Sequence, residues 1–398
     1  MSAGQPARFD VAVIGAGIAG AAAAYELAST RRVALIEREE QPGYHTTGRS
    51  AALYTENYGN AVIRALTFAS RPFFDRPPNG FSDHPLLTPR GTMLIAAEGQ
   101  ARACDAALAA AGNGNAASLS EITLDEALRR VPVLDPAYVR RALFEPAAMD
   151  MDVHAIHQGF LRGFRARGGR IALDAEVRAL DRLKGEWRLA TKVGQFAAPR
   201  VVNATGAWVD EIAKLAGLRP IGLVPKRRTA FTFDPMLGGP MPGDPPRPVD
   251  PSAWPAVIDV EETFYFKPEA GRVLASPADE TPSPPCDAQP EDLDIALAAE
   301  RVERATKLRL RQIHRKWAGL RCFVSDKTPV VGEAHDGPGF FWLAGQGGYG
   351  IMTAPALGRA IAAIVTGQDL PQDLRSTGVS AASISPHRLV IQAQYRHN

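Results

Sequence analysis

Apolar positions in this chain fall into short unbroken runs and alternating runs. Residues 11–14 (Val-Ala-Val-Ile) and 33–36 (Val-Ala-Leu-Ile) are apolar throughout, as suits strands buried on both faces of a parallel sheet. Val201-Val202, ahead of Asn203, and Phe340-Phe341-Trp342-Leu343 have the same character. Glycine turns and small residues follow three of these runs and predict helices over 21–28, 209–216 and 354–366. Phe231-Thr232-Phe233 and Phe264-Tyr265-Phe266 alternate as antiparallel strands do, and 90–96 reads as a further strand. Strands are also expected at 170–173 and 175–177, and helices over 101–111, 124–131, 153–167 and 292–315. The last has a basic end at Arg309, Arg311, Arg315 and Lys316, read as a solvated helix C-terminus or a docking patch. A helix of small residues should begin near Ser50-Ala51-Ala52, and five prolines between Pro72 and Pro89 should break 60–145 into short pieces. Residues 235–255 and 277–290 are Pro/Gly loops, either disordered or functional flaps, and 375–398 reads as a tail.

With 398 residues the chain exceeds one ordinary core. The pattern predicts an α/β (α+β two-domain) chain. A discontinuous Rossmann-like domain is expected from 1–58, 146–220 and 316–374, and a second, antiparallel-sheet domain from 59–145 and 221–315.

The first run leads into Gly15-Ala16-Gly17-Ile18-Ala19-Gly20, a G-x-G-x-x-G turn, and the next ends on Glu37. Gly15 permits the tight turn, Gly17 lets backbone approach a pyrophosphate, and Gly20 lets helix and strand pack closely. The helix N-terminus offers free N–H groups to phosphate, and Glu37 stands about twenty residues on, where an acid can take ribose hydroxyls. This unit does not separate NAD from FAD. No second mononucleotide unit follows it, and glycine and hydroxyl residues follow instead, through Gly48-Arg49-Ser50, able to lie along a flavin ring. Val202-Asn203-Ala204-Thr205-Gly206 and Gly345-Gln346-Gly347-Gly348-Tyr349-Gly350 repeat the strand, glycine turn and helix theme. The helix after the second turn can hold charge developing on a reduced flavin.

A net charge of +2 gives no reason to expect nucleic acid or an acidic membrane as a bulk partner. Cys104, Cys286 and Cys322 are widely spaced and form no disulfide framework or metal motif. No apolar run reaches the length of a membrane span, the first residues lack a signal-peptide core, and a soluble cytoplasmic enzyme is expected. Asp150, Asp152, His154 and His157 raise a metal reading, but no third ligand cluster accompanies them, and Asp152 suits the N-cap of the following helix. A carboxylate substrate would call for a guanidinium, which pairs with it bidentately.

The three glycine turns resemble those of the FAD-dependent D-amino-acid oxidase, sarcosine oxidase and glycine oxidase superfamily over nearly the whole chain. Residues 41–52, 225–228, 264–268, 317–321 and 345–351 resemble the bacterial D-arginine dehydrogenase group within it. The resemblance implies noncovalent FAD in a discontinuous domain. The residues expected against the cofactor are Gly15, Ala16, Gly17, Ile18, Ala19, Gly20, Glu37, Arg38, Thr47, Gly48, Ser50 and Ala51. Val177, Ala204, Gly206, Trp208, Gly319, Gly347, Gly348, Tyr349, Gly350 and Ile351 complete that set. The resemblance gives Arg228 and Arg321 to a substrate carboxylate, Tyr58 and Tyr265 to either side of the substrate, and the Gly348 carbonyl to its amine. Residues 50–58 resemble a mobile gate. Thr55, Leu53, Thr92, Glu262 and Met352 would meet the rest of the substrate. Thr92, Leu53 and Met352 replace a glutamate, a histidine and a glutamine of the arginine-active pattern, which makes the pocket less acidic. Cys322, beside Arg321, is read as a packing residue rather than a flavin attachment point.

The implied reaction is oxidative deamination of a D-amino acid. The neutral amine binds through its carboxylate, hydride passes from Cα to flavin N5, and the imino acid hydrolyses to a 2-oxo acid and ammonia. An electron acceptor is implied but not identified, and monomer and homodimer are both open. Two rivals remain: an oxygen-using amine oxidase of the glycine or sarcosine oxidase type, and a flavin-binding subunit without turnover.

Overall fold

Val11–Ile14 lies in the middle of a six-stranded sheet of order Arg170–Ala172, Val33–Ile36, Val11–Ile14, Arg200–Asn203, Gly337–Ala344, Val330–Ala334. All neighbours are parallel except the last pair. The computed structural model describes residues 5–111, 119–238 and 245–389. The period of two decides the layers. Val11 and Val13 face helices Ile18–Leu27, Val153–Ala166 and Gly350–Thr366. Ala12 and Ile14 face a second core under a four-stranded sheet built from Ala7–Arg8 and 177–198. Small residues let the first and last helices approach, since a Cβ on Gly358 would stand 3.0 Å from Ala22 O.

A nine-stranded sheet forms the second unit, with Val224–Phe233 paired to Ile313–Phe323 and to Arg272–Ser276, and Tyr265–Glu269 next in line. It is antiparallel except where Ala256–Asp259 runs parallel to Thr92–Ala96. Phe231, Phe233, Phe266 and Val257 pack on one face with helices Leu124–Arg130 and Asp292–Ala305. Alternation therefore turns Arg228, Ala230 and Tyr265 to the opposite face.

Four sequence expectations change. No helix starts at Ser50: Thr47–Arg49 makes one 3₁₀ turn and Leu53–Tyr54 pairs with Met149–Asp150. Trp317 Nε1 takes the Arg49 carbonyl at 3.0 Å, and Arg49 Nη1 reaches Ala288 O and Ala318 O, so the turn is tied to the neighbouring strand. Ala61–Asp75 is one helix, not short pieces, and it lies in the first core against the helix Gly350–Thr366. Asn60 caps it, Ile63, Leu66 and Phe74 bury one stripe, and Pro72 sits on its exposed side. The helix expected over 292–315 stops at Ala305; Arg315 and Lys316 belong to a strand, paired with Thr232 and Phe231, so they do not form a helix end. Finally, 375–389 is docked rather than a tail: Val379 and Ile384 are buried and Arg388 Nε bonds Asp326 Oδ2 at 2.7 Å. The remainder of that segment, 390–398, and residues 239–244 of the loop 235–255 fall outside the described residues.

Candidate active site

A cleft opens at the carboxyl ends of the parallel strands and offers about 310 Å³ to the centres of water molecules. Two helices begin on it, Ile18–Leu27 and Gly350–Thr366, and neither is capped by the side chain of its own N-cap residue. Thr47 takes the Ile18 N–H, and the next N–H groups of that turn and those of the turn beginning at Gly350 are available to an anion. Gly15 has φ +96°, and a Cβ there would lie 2.6 Å from Ala204 O; one on Gly20 would lie 1.8 Å from Gly15 O. Both glycines are needed for the backbones to meet. Glu37 is buried at the end of its strand, where Oε2 accepts the Ala16 N–H at 2.7 Å, and Thr47 Oγ1 accepts the Ile18 N–H at 3.0 Å.

At the far end Trp208 lies 4.7 Å from the His45 ring, with the Arg38 guanidinium 4.9 Å over it and His45 Nε2 bonded to Glu39. Gly15, Gly17, Ile18, Ala19, Glu37, Arg38, Thr47, Ser50, Ala51 and Val177 line the cleft. So do Ala204, Gly206, Trp208, Gly319, Gly347, Gly348, Gly350 and Ile351. Ala16, Gly20, Gly48 and Tyr349 stand behind that wall. Sequence reasoning missed His45, Thr46 and Gln346 as lining residues; all three lie inside runs it had singled out, 41–52 and 345–351.

Arg228, Tyr265 and Arg321 line the inner part of the cleft. Arg228 pairs across the sheet with Gly319, and Lys226 with Arg321, so the two arginines are diagonal neighbours on adjacent strands. Arg228 is 8% exposed; burial first, and then the Arg321 charge, hold its pKa below the ordinary value. Its Nε has no partner, and its nearest carboxylate, Glu280, is 3.6 Å away. The Arg321 guanidinium rests against Gly348, where a Cβ would come within 2.8 Å of Nη1. Arg321 Nη1 donates to Tyr58 Oη, and Tyr58 Oη to Glu262 Oε2, each at 3.4 Å. Burial raises the Tyr58 pKa, and its ring meets Tyr349 at 4.7 Å. Cys322 also lines the cleft, its thiol pushed up by burial to about 12.

The other expected substrate residues stand elsewhere. Thr55 is buried and gives its hydroxyl to Glu145 Oε2 at 2.7 Å. Leu53 sits on an edge strand, Met352 is buried in the first turn of its helix, and Thr92, opposite Glu145, is buried with an unpartnered hydroxyl. None of the four lines the cleft as described. Asp152 caps its helix through Ala155 N, His154 is exposed, and His157 is buried on Ala16 O. Among the described residues no group of three or more His, Cys, Asp or Glu side chains is placed to hold a metal, and no helix is long and apolar enough to cross a membrane.

A glycine-turned cleft with two helix starts and a buried acid at a strand end defines a dinucleotide-binding protein, and two arginines stand side by side on its inner wall. The chain belongs to the FAD dependent oxidoreductase (DAO) family, whose model matches residues 10–364. FAD is therefore the cofactor, and the cleft fits it: the cradle closes only around glycine, and Arg228 Nε and Gln346 Nε2 are buried without partners beside it. Glycine oxidase of Pseudomonas aeruginosa is 25% identical over 383 residues, covering 90% of this chain and 95% of that one. Rat mitochondrial dimethylglycine dehydrogenase is 23% identical over 92% of this chain, which spans only 44% of that protein. The crystal structure of glycine oxidase from Geobacillus kaustophilus superposes with a TM-score of 0.77 at 22% identity, covering 91% of this chain and 96% of that one. The chain spans about half or less of the length of the first curated relatives it matches, and the family it shares with them is that of FAD dependent oxidoreductases.

Proposed function

We propose that this protein oxidises D-amino acids to 2-oxo acids and ammonia as a dehydrogenase. The observation that carries the reading is the diagonal pair Arg228, buried, and Arg321, half-buried, on the cleft side of the sheet, where Arg228 meets Glu280 only at 3.6 Å and its Nε has no hydrogen-bond partner. A substrate carboxylate completes that pair and relieves the repulsion between the two cations. The Gly348 carbonyl accepts from the substrate amine, and Tyr58 and Tyr265 flank it. Bound FAD supplies the hydride acceptor for Cα–H. No side chain is required as a base when the amine enters neutral. The cofactor attaches noncovalently, consistent with a Cys322 thiol that stays protonated. The FAD-binding domain comprises 1–58, 146–220 and 316–374, and 59–145 with 221–315 forms the substrate-binding domain, the helix Ala61–Asp75 lying on the former. Thr92, Leu53 and Met352 stand outside the cleft wall, and none of them puts a carboxylate at the side-chain end.

The test is a screen of D- and L-amino acids with an artificial electron acceptor under nitrogen. Turnover confined to L-enantiomers, or to N-methylated glycines, would refute the reading. A second reading, an oxygen-using amine oxidase, is favoured by the glycine oxidase relative. Oxygen uptake as fast as dye reduction would select it.

A further inference from the structure

The Asp150-to-His157 segment leaves one group unaccounted for. His157 is 4% exposed, in the second turn of the helix Val153–Ala166, and its Nε2 lies 2.9 Å from Ala16 O inside the glycine turn. A carbonyl only accepts, so Nε2 carries the proton and donates. We propose that His157 is a positioning residue for the FAD pyrophosphate, setting the peptide that presents the Gly17 N–H to the cleft.

The Ala16–Gly17 peptide is trans, so its C=O and N–H point in opposite directions. His157 draws the carbonyl toward the helix behind the turn, which directs the Gly17 N–H the other way, and Gly17 lines the cleft. Among the described residues that N–H takes no partner. The preceding peptide is held by Glu37 through the Ala16 N–H, so the two sides of Ala16 are fixed by two different elements. The imidazole also supports the second loop of the cradle. A Cβ on Gly43 would lie 2.8 Å from His157 Cε1, and the Gly43 carbonyl accepts from Gly48 N in the turn that holds Thr47 against Ile18. The helix that carries the ring packs closely on the glycine-turn helix: a Cβ on Gly163 would stand 2.4 Å from the Tyr25 ring. Two cofactor loops therefore rest on one donor that never touches substrate. This inference depends only on FAD binding and not on which amine is oxidised.

The experiment strips FAD from parent, His157→Gln, His157→Leu and His157→Asn proteins, then titrates each apoprotein with FAD and separately with ADP. Quenching of flavin fluorescence reads FAD, and displacement of FAD reads ADP. Glutamine can place an N–H near the Nε2 position, leucine has none, and asparagine is too short. The expected result is an FAD Kd within about threefold of the parent for His157→Gln and raised at least tenfold for His157→Leu and His157→Asn. ADP, which carries the pyrophosphate without the flavin, should weaken in parallel. Apoprotein Tm should stay within a few degrees across the set. Equal Kd in all four proteins, or a glutamine variant as weak as the leucine one, would overturn the proposal, the latter by showing that ring shape and not donation matters. If His157→Leu does not fold, the Gln and Asn comparison decides in the same way.

Discussion

Replacing Arg321 by methionine removes one of two guanidiniums from the proposed carboxylate site while keeping a chain that fills much of its volume. A carboxylate 4 Å from a guanidinium gains about 4 kcal/mol at the effective dielectric of roughly 20 that suits such sites. Arg321 is packed against Gly348 and Tyr58, so most of its desolvation is already incurred in the free protein and is not recovered on mutation. Arg228 remains, and water entering beside the methionine returns part of the loss. The expected fall in kcat/KM is therefore about a hundredfold to a thousandfold, at about 1.4 kcal/mol per decade. FAD content should not change, because Arg321 lies at the reactant end of the cleft. Anaerobic stopped-flow mixing with a D-amino acid reads the bleaching of the flavin, and its dependence on concentration gives the apparent Kd. A parallel series uses the amino-acid amide, which lacks the negative charge. The parent should favour acid over amide strongly, and the variant should lose most of that preference. An Arg321→Met protein with bound flavin, near-parental kinetics and intact discrimination would refute the assignment of Arg321 to the carboxylate.

Acid or heat should release intact FAD, and iodoacetamide at pH 8 should leave Cys322 unmodified in the native protein by mass spectrometry, its thiol being held near 12; flavin staying with the denatured chain would reopen Cys322 as an attachment point. Gly20→Ala should yield protein without flavin or no folded protein, since its Cβ would meet the Gly15 carbonyl, and a yellow, stable variant would contradict the close packing. Gly348→Ala should raise KM several-fold with FAD retained, because the new methyl displaces the Arg321 guanidinium; unchanged KM would mean the guanidinium has room to move. Neutral chains such as D-methionine, D-leucine and D-phenylalanine should match or exceed D-arginine in kcat/KM, gaining about 0.8 kcal/mol per buried CH₂ where a cation lacks its acid. A hundredfold preference for D-arginine would defeat that argument and point to Glu262.

Local signals carried the cofactor half of this protein. The strands 11–14 and 33–36, the glycines between them and Glu37 are close in sequence, and their spacing alone demands a tight turn, a helix start and an acid at a strand end. The cap at Asp152 was equally local. Helix Ala61–Asp75 was obscured because proline counts against a helix wherever it stands, whereas Pro72 lies on the face turned to water and the buried stripe of Ile63, Leu66 and Phe74 outweighs it. The end of the helix at Ala305 could not be read either, since pairing with Val224–Phe233 drew Arg315 and Lys316 into a strand.

What only the tertiary structure decided is which groups meet. Arg228 and Arg321 are 93 residues apart in sequence, and the register that sets Arg228 opposite Gly319 makes them neighbours. Thr55 meeting Glu145, His157 meeting Ala16 and Trp317 meeting Arg49 belong to the same class of fact. A sequence pattern records period and turn chemistry within about ten residues. Contacts between distant segments depend on register and on how layers stack, and a one-residue slip of the strand Ile313–Phe323 would turn Trp317 and Arg321 to the other face.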